Sequence, residues 1–147
     1  MLSLVRRDLQ DGMNAVWPSS VVSEIVAGAV SRRECDVIVT FDDHGVSGHP
    51  NHIAAFRGVS EYAAASDGAV KAYSLRSVSL LRKYIGMLDA LFTSAKSPRD
   101  VVIFGSFQDV LTGQSAMAAH KSQFVWFRRI YVVLSRFMVI NELAPLN

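Results

Sequence analysis

The sequence predicts an α/β domain on a mostly parallel sheet, and three observations predict it. The first is Val37-Ile38-Val39-Thr40-Phe41, a β-branched and aromatic run without polar alternation, the pattern of a central strand covered on both faces. The second is helical spacing around it: Val22, Val26 and Val30 fall four apart before it, and a helical stretch opens at Pro50 after it. The third is the order β-α-β-α-β-α along the rest of the chain, which joins parallel strands through helices. A length of 147 residues fits one such domain, and 50% hydrophobic against 19% charged residues provide a core.

The elements follow in order. Asp8-Leu9-Gln10-Asp11-Gly12 reads as a polar turn, and Ser19 or Ser20 can cap a helix that runs to Arg33. The strand over 37–41 empties into Asp42-Asp43-His44-Gly45-Val46-Ser47-Gly48, and Pro50 sits where a first helical turn tolerates a missing N–H. A helix over 50–66, a strand over 70–75, a helix-like stretch over 78–91, a strand over 101–107 and one or two helices over 108–137 complete the pattern. In such sheets ligands lie at the carboxyl ends of the strands, where the loop over 42–52 falls.

Charge and cysteine content exclude several classes. Fifteen basic against thirteen acidic residues leave +2, too little for the phosphate neutralisation of a nucleic-acid binder. The lone Cys35 rules out an intrachain disulfide and a cysteine-cluster zinc site, and fits a reducing compartment. Met1–Arg7 does not read as a signal peptide. The apolar segment over 130–140 is about half of the roughly 20 residues that a membrane span requires, and Ser135 and Arg136 interrupt it. The sequence sets no oligomeric state.

His49 and His52 are three apart at a helix start, so their rings can converge on one small volume. They supply part of a metal-hydrolase set, in which three protein ligands leave a place for water. Asp42, Asp43 and His44 lie near in sequence, and spacing does not choose among them. A structural reading fits the same residues: Asp42 bonding turn amides, His49 capping the helix, and His52 satisfied at the edge of the core.

Thr40-Phe41-Asp42 with Gly45-Val46-Ser47-Gly48-His49-Pro50-Asn51-His52 resembles the N-acetylglucosaminyl-phosphatidylinositol de-N-acetylases. The resemblance continues through Leu75-Arg76-Ser77-Val78, Leu81-Arg82-Lys83-Tyr84, Ala116–Gln123, Trp126-Phe127-Arg128-Arg129 and Tyr131, so it covers nearly the whole chain. It implies a Rossmann-like fold of the LmbE type, a divalent metal taken as zinc, and hydrolysis of an N-acetyl group on a glucosamine headgroup. The glycolipid would be the partner, early in glycosylphosphatidylinositol anchor synthesis at the cytosolic face of the endoplasmic reticulum membrane. His52 would bind the metal. His49 would stabilise the amide oxyanion or protonate the leaving amine, and Asp42 would support the site from behind. Asp11 would accept bonds from sugar hydroxyls, although an ordinary Asp-Gly turn is the reading favoured for it, and His120 would line the site or sit partly buried on its helix.

The sequence also departs from the family pattern. The His-Pro-Asp-Asp-Glu motif that supplies two further metal ligands and the general base does not occur in it. The expectation is therefore a single partial domain over 1–147, an N-terminally shortened member with weak or no activity of its own. The alternative is a non-catalytic binding or regulatory protein on the same fold. Asn51 stands where bacterial relatives of the fold carry Asp, so Asp42 or Asp43 would have to provide a carboxylate to His49. Phe124, Phe127, Tyr131, Leu134 and Met138 form a helical stripe with Arg128, Arg129 and Arg136 around it. That stripe fits core packing, with peripheral membrane contact as the second reading.

Overall fold

The structure is a computed structural model that describes residues 9–10, 12, 14–33, 35–91, 93, 98–122 and 124–146. It is α/β, as the sequence predicts. Two compact units divide the chain: one runs to Ser77 and takes back residues from Ala144 onward, and the other is Val78–Leu143.

In the first unit, helix α1 (Ser19–Arg33) is followed by β1 (Val37–Phe41), the single turn α2 (Gly45–Gly48), helix α3 (Pro50–Ala65) and β2 (Lys71–Leu75). β1 and β2 pair in parallel, with Val37 opposite Lys71 and Phe41 opposite Leu75. The chain end returns beside β2, where Leu146 N–H donates to the Ala72 carbonyl at 2.9 Å. Val59, Ala63 and Ala72 form the buried centre, with Val26, Ile38 and Leu146 packed against them. Gly58 is what lets α1 and α3 meet: a Cβ there would lie 2.4 Å from Val22 Cβ, a distance no side chain can hold.

β1 is not covered on both faces. Val37 and Val39 are 51% and 56% exposed, whereas Thr40 is buried and Ile38 packs on the core. Valine and isoleucine suit extended backbone whether one face or two are covered, so their density alone did not separate the cases. β2 is the only described strand beside it, which makes β1 an edge strand among the described residues rather than a central one.

In the second unit, α4 (Leu80–Lys83) and a 3-10 helix over Gly86–Leu91 replace the continuous helical stretch expected over 78–91. α4 ends at its C-cap Tyr84, whose N–H donates to the Leu81 carbonyl, and Gly86 opens the 3-10 helix with a φ of +55°. β3 (Val101–Phe104), α5 (Phe107–Ala119), α6 (Trp126–Leu134), a 3-10 turn over Arg136–Met138 and β4 (Ile140–Pro145) follow. β3 pairs antiparallel with β4, Val101 opposite Leu143, and β4 is a strand that the sequence reading did not include. β3 stops short of 107 because Ser106 opens α5 with a capping box. Its Oγ accepts from Asp109 N–H at 3.2 Å, and the Asp109 carboxylate accepts from Ser106 N–H at 2.8 Å. The Ser106 hydroxyl, which donates to Asp109 Oδ2 at 2.6 Å, and then the Ser106 N–H hold the Asp109 carboxyl below the ordinary carboxylate range.

Charge is packed inside this unit beside Val132, Ile140 and Leu143. Arg136 and Asp89 are buried, as are Ser135 and Glu142. Arg136 Nη2 donates to Glu142 Oε1 at 2.9 Å, while its Nε lies 2.7 Å from Asp89 Oδ2 as an ion contact. Arg82 clamps the other side, Nε to Asp89 Oδ1 at 2.6 Å and Nη2 to Oδ2 at 3.0 Å. No described helix is long and apolar enough to cross a membrane.

Candidate active site around His49 and His52

The candidate site lies in the first unit, at the carboxyl ends of β1 and β2. Because the strands are parallel and Phe41 is opposite Leu75, the residues just beyond each strand arrive together. Asp42 and Ser77 meet there. The Asp42 carboxylate accepts from His44 N–H at 3.2 Å and Gly45 N–H at 3.0 Å, from Ser77 Oγ at 2.7 Å, and from Ser77 N–H. Ser77 Oγ in turn accepts from Val46 N–H at 2.9 Å.

That set of bonds stabilises an unusual turn. Gly45, Val46 and Gly48 all have positive φ, at 58°, 64° and 76°. Glycine takes this conformation freely, but a β-branched residue does so only where its surroundings impose it. Gly45 also admits the following helix: a Cβ on it would meet Ile53 Cγ1 at 3.0 Å and His52 Cβ at 3.1 Å. The turn delivers His49 to the N-cap of α3 and leaves Pro50 in the first helical turn.

The two imidazoles converge. Their ring centroids are 4.7 Å apart with planes 28° from parallel, and both residues are half-buried. His52 also stacks on Phe41 at 3.8 Å with planes 10° apart, which fixes its ring plane. Its Nδ1 lies 3.1 Å from the Gly45 carbonyl. A carbonyl only accepts, so Nδ1 carries the proton and the Nε2 of neutral His52 presents a lone pair. His49 is the reverse, because its Nδ1 accepts from Asn51 N–H at 3.3 Å. Neutral His49 therefore carries its proton on Nε2. The structural bonds of both residues are made through Nδ1, and the two rings lie close together.

Other expectations fare differently. No carboxylate reaches His49 among the described residues: Asp42 is engaged as above, and Asp43 Oδ1 pairs with His44 Nδ1 at 2.7 Å. The idea that Asp42 or Asp43 serves His49 is thus corrected, since the turn directs both acids to backbone amides, to Ser77 and to His44. Asp43, through its bond and charge, and then Asp42 raise the pKa of exposed His44. Ligand atoms of Asp42, Asp43 and His44 lie within 4.8 Å of one another, closer than alternation along an extended segment implies, because the segment is a turn. His120 is in the other unit, at the C-cap of α5, and is exposed rather than partly buried, since the chain leaves the helix there with ψ 68°. Asp11 lies outside the described residues. Ser77 and Phe41 belong to the resembling motifs but had no role in the sequence reading; the register of β1 against β2 is the signal that finds Ser77.

Substituting Asp42 by Asn aims amide hydrogens at N–H groups that need an acceptor. Urea unfolding should show a loss of about 2 kcal/mol, and a double-mutant cycle with Ser77→Ala a coupling of about 1 kcal/mol. Additive effects of the two substitutions would mean that the staple between the loops does not exist.

Comparisons with known proteins find several relatives of one name. The chain is 36% identical over 140 residues, 92% of its length, to the "Probable N-acetylglucosaminyl-phosphatidylinositol de-N-acetylase" of Schizosaccharomyces pombe. It is 34% identical over 145 residues, 97% of its length, to the N-acetylglucosaminyl-phosphatidylinositol de-N-acetylase of Bos taurus. A probable enzyme of the same name from Dictyostelium discoideum is 31% identical over a gapped alignment of 174 positions that covers 95% of this chain. The chain spans 56%, 57% and 66% of the lengths of these three relatives. No family model matches the sequence, and no solved structure matches it. With near-complete coverage by several relatives of one name, the chain belongs to the N-acetylglucosaminyl-phosphatidylinositol de-N-acetylase family.

Proposed function

We propose that this chain carries the histidine half of a site that hydrolyses the N-acetyl amide of N-acetylglucosaminyl-phosphatidylinositol, at the cytosolic face of the endoplasmic reticulum membrane. The products are acetate and the free amine. The observation that carries this reading is the pair of opposite tautomers on stacked rings. His52 offers a lone pair suited to a divalent cation, taken as zinc, and the Gly45 carbonyl and Phe41 hold it oriented as a metal-ligand imidazole is held. His49 offers an N–H suited to the amide oxygen as it gains charge, and then to the leaving nitrogen.

The residues fit a metal in part. His52 is one ligand of the three that a catalytic zinc takes from protein. The Asp42, Asp43 and His44 grouping is a poorer match, because its acids are committed to the turn and to His44. When bound, a divalent metal would polarise the amide carbonyl and acidify water. Asp42 acts by positioning, through the turn that presents His49 and His52. The other ligands and the base of the family pattern are not in these 147 residues, so the chain by itself is expected to turn over weakly or not at all.

Acetate release from N-acetylglucosaminyl-phosphatidylinositol tests the reading, assayed in a full-length family enzyme containing this segment and in the chain itself, with zinc content measured alongside. Headgroup binding with neither zinc nor acetate release in the full-length enzyme would support the non-catalytic alternative instead.

A further inference from the structure

α6 has its apolar side turned outward. Trp126 and Val133 are 73% and 69% exposed, and Phe127, Ile130 and Leu134 are exposed as well. At about 100° per residue, Val133, Trp126, Ile130, Leu134 and Phe127 succeed one another around an arc of roughly 120°. Exposed Arg129 borders that arc on the Val133 side. Half-buried Tyr131 borders it on the Phe127 side, and the buried Val132 and half-buried Arg128 occupy the opposite side. A helix that served only to pack would bury the arc and expose the arginines; of the stripe named from the sequence, Phe127 and Leu134 are exposed, whereas Phe124, Tyr131 and Met138 are half-buried, as core packing expects.

Charge is sorted in the same region. From Val110 to Asn141 the sequence holds Lys121, Arg128, Arg129 and Arg136 and no acidic residue. Arg136 is held by its buried acids, which leaves three cations uncompensated within that stretch. The Arg129 guanidinium sits 5.6 Å over the Phe124 ring and on the rim of a groove of about 450 Å3 between α5 and α6. That groove is lined mainly by apolar side chains, among them Ala118, Phe124 and Val132.

We propose that α6 is a membrane-docking helix that lies flat on an anionic lipid surface. Its arc enters the level between headgroups and acyl chains, and Arg129 lies against lipid phosphate. The chemistry matches such a surface on both counts, because aromatic and aliphatic side chains partition into the interface and cations are drawn to anionic headgroups. A second copy of this chain matches it less well, since a two-fold contact through the same helix would bring basic residues together. The inference rests on the glycolipid reading above: a substrate anchored by acyl chains stays in its bilayer, so the protein must come to it.

The test uses the full chain with Trp17→Phe, which leaves Trp126 as the only tryptophan. It is mixed with vesicles of phosphatidylcholine containing phosphatidylserine and no glycosylated lipid. Trp126 emission should shift to the blue and the protein should sediment with the vesicles, with affinity at least about tenfold below this on phosphatidylcholine alone. Ile130→Glu with Val133→Glu should abolish both signals without changing the far-ultraviolet circular dichroism or Tm, because those side chains are already exposed. Arg129→Gln should weaken binding about fivefold, the factor expected for one interfacial cation. Equal binding to neutral vesicles, binding that survives the double substitution, or absence of any shift overturns the proposal. So does emission already blue-shifted in buffer and restored by the double substitution, which would show protein covering the arc. As the vesicles carry no substrate, failure here leaves the deacetylase reading standing, and absence of acetate release leaves the docking result standing.

Discussion

Arg136→Met is expected to lower the unfolding free energy by about 3–5 kcal/mol, a large share of the roughly 5–15 kcal/mol that stabilises a domain. Arg136 and Asp89 are both 0% exposed, and Glu142 is 3% exposed. Removing the guanidinium strands two carboxylates in a low-dielectric interior with only Arg82 to face them, and Arg82 Nη2 is 3.7 Å from Glu142 Oε1. Adding Glu142→Gln should recover part of the loss by neutralising one stranded acid, which a double-mutant cycle would read as coupling.

The pH dependence gives the same network a sign. Burial pushes the Asp89 carboxyl up, but the hydrogen bonds from Arg82 and Thr93 and the charges of Arg136 and Arg82 outweigh it, and the net shift is downward. Native Asp89 thus binds a proton less readily than unfolded Asp89. Its stabilisation is fully present above the unfolded carboxylate value of about 3.9, and it is lost as pH falls through the folded value. In Arg136→Met burial is opposed by fewer cations, so the penalty of the substitution should shrink as the solution is acidified. Thermal unfolding of both proteins between neutral and acid pH measures this; a penalty under about 1 kcal/mol that does not change with pH would show that the cluster is solvated.

The elements that were legible in the sequence are those set by local signals. Pro50 after a glycine turn marked the start of α3, and the β-branched run marked β1. What escaped depended on partners distant in sequence. Ile140-Asn141-Glu142-Leu143 carries a charged residue inside a strand, which local pattern scores against, yet Glu142 is buried there by an arginine six residues earlier. Likewise, the stripe drawn from Phe124 to Met138 passes by Trp126, Ile130 and Val133, the exposed apolar side of α6, because α6 runs only from Trp126 to Leu134 and spacing does not say which side a neighbour covers. At the site, the convergence of His49 and His52 followed from their spacing at a helix start. The staple to Ser77 needed the parallel register of two strands, which no local signal contains.

His49→Ala and His52→Ala should each cut acetate release by about a thousandfold or more in a full-length family enzyme carrying this segment, but for separable reasons. Removing His52 takes away a lone pair held in place by the Gly45 carbonyl and by Phe41, so zinc content should fall with activity. Removing His49 takes away an N–H donor that contacts no metal in this assignment. Zinc should remain while kcat drops by about 10^3, within the range for loss of an oxyanion donor or a general acid. His49→Gln, which can still present an N–H, should recover part of that loss, whereas a glutamine at 52 should not restore zinc. The opposite outcome, zinc lost with His49 and kept without His52, would reverse the two tautomers and with them the roles. Full activity in both alanine variants would remove the pair from the chemistry altogether and leave only its structural bonds, the N-cap of α3 and the tie to Gly45.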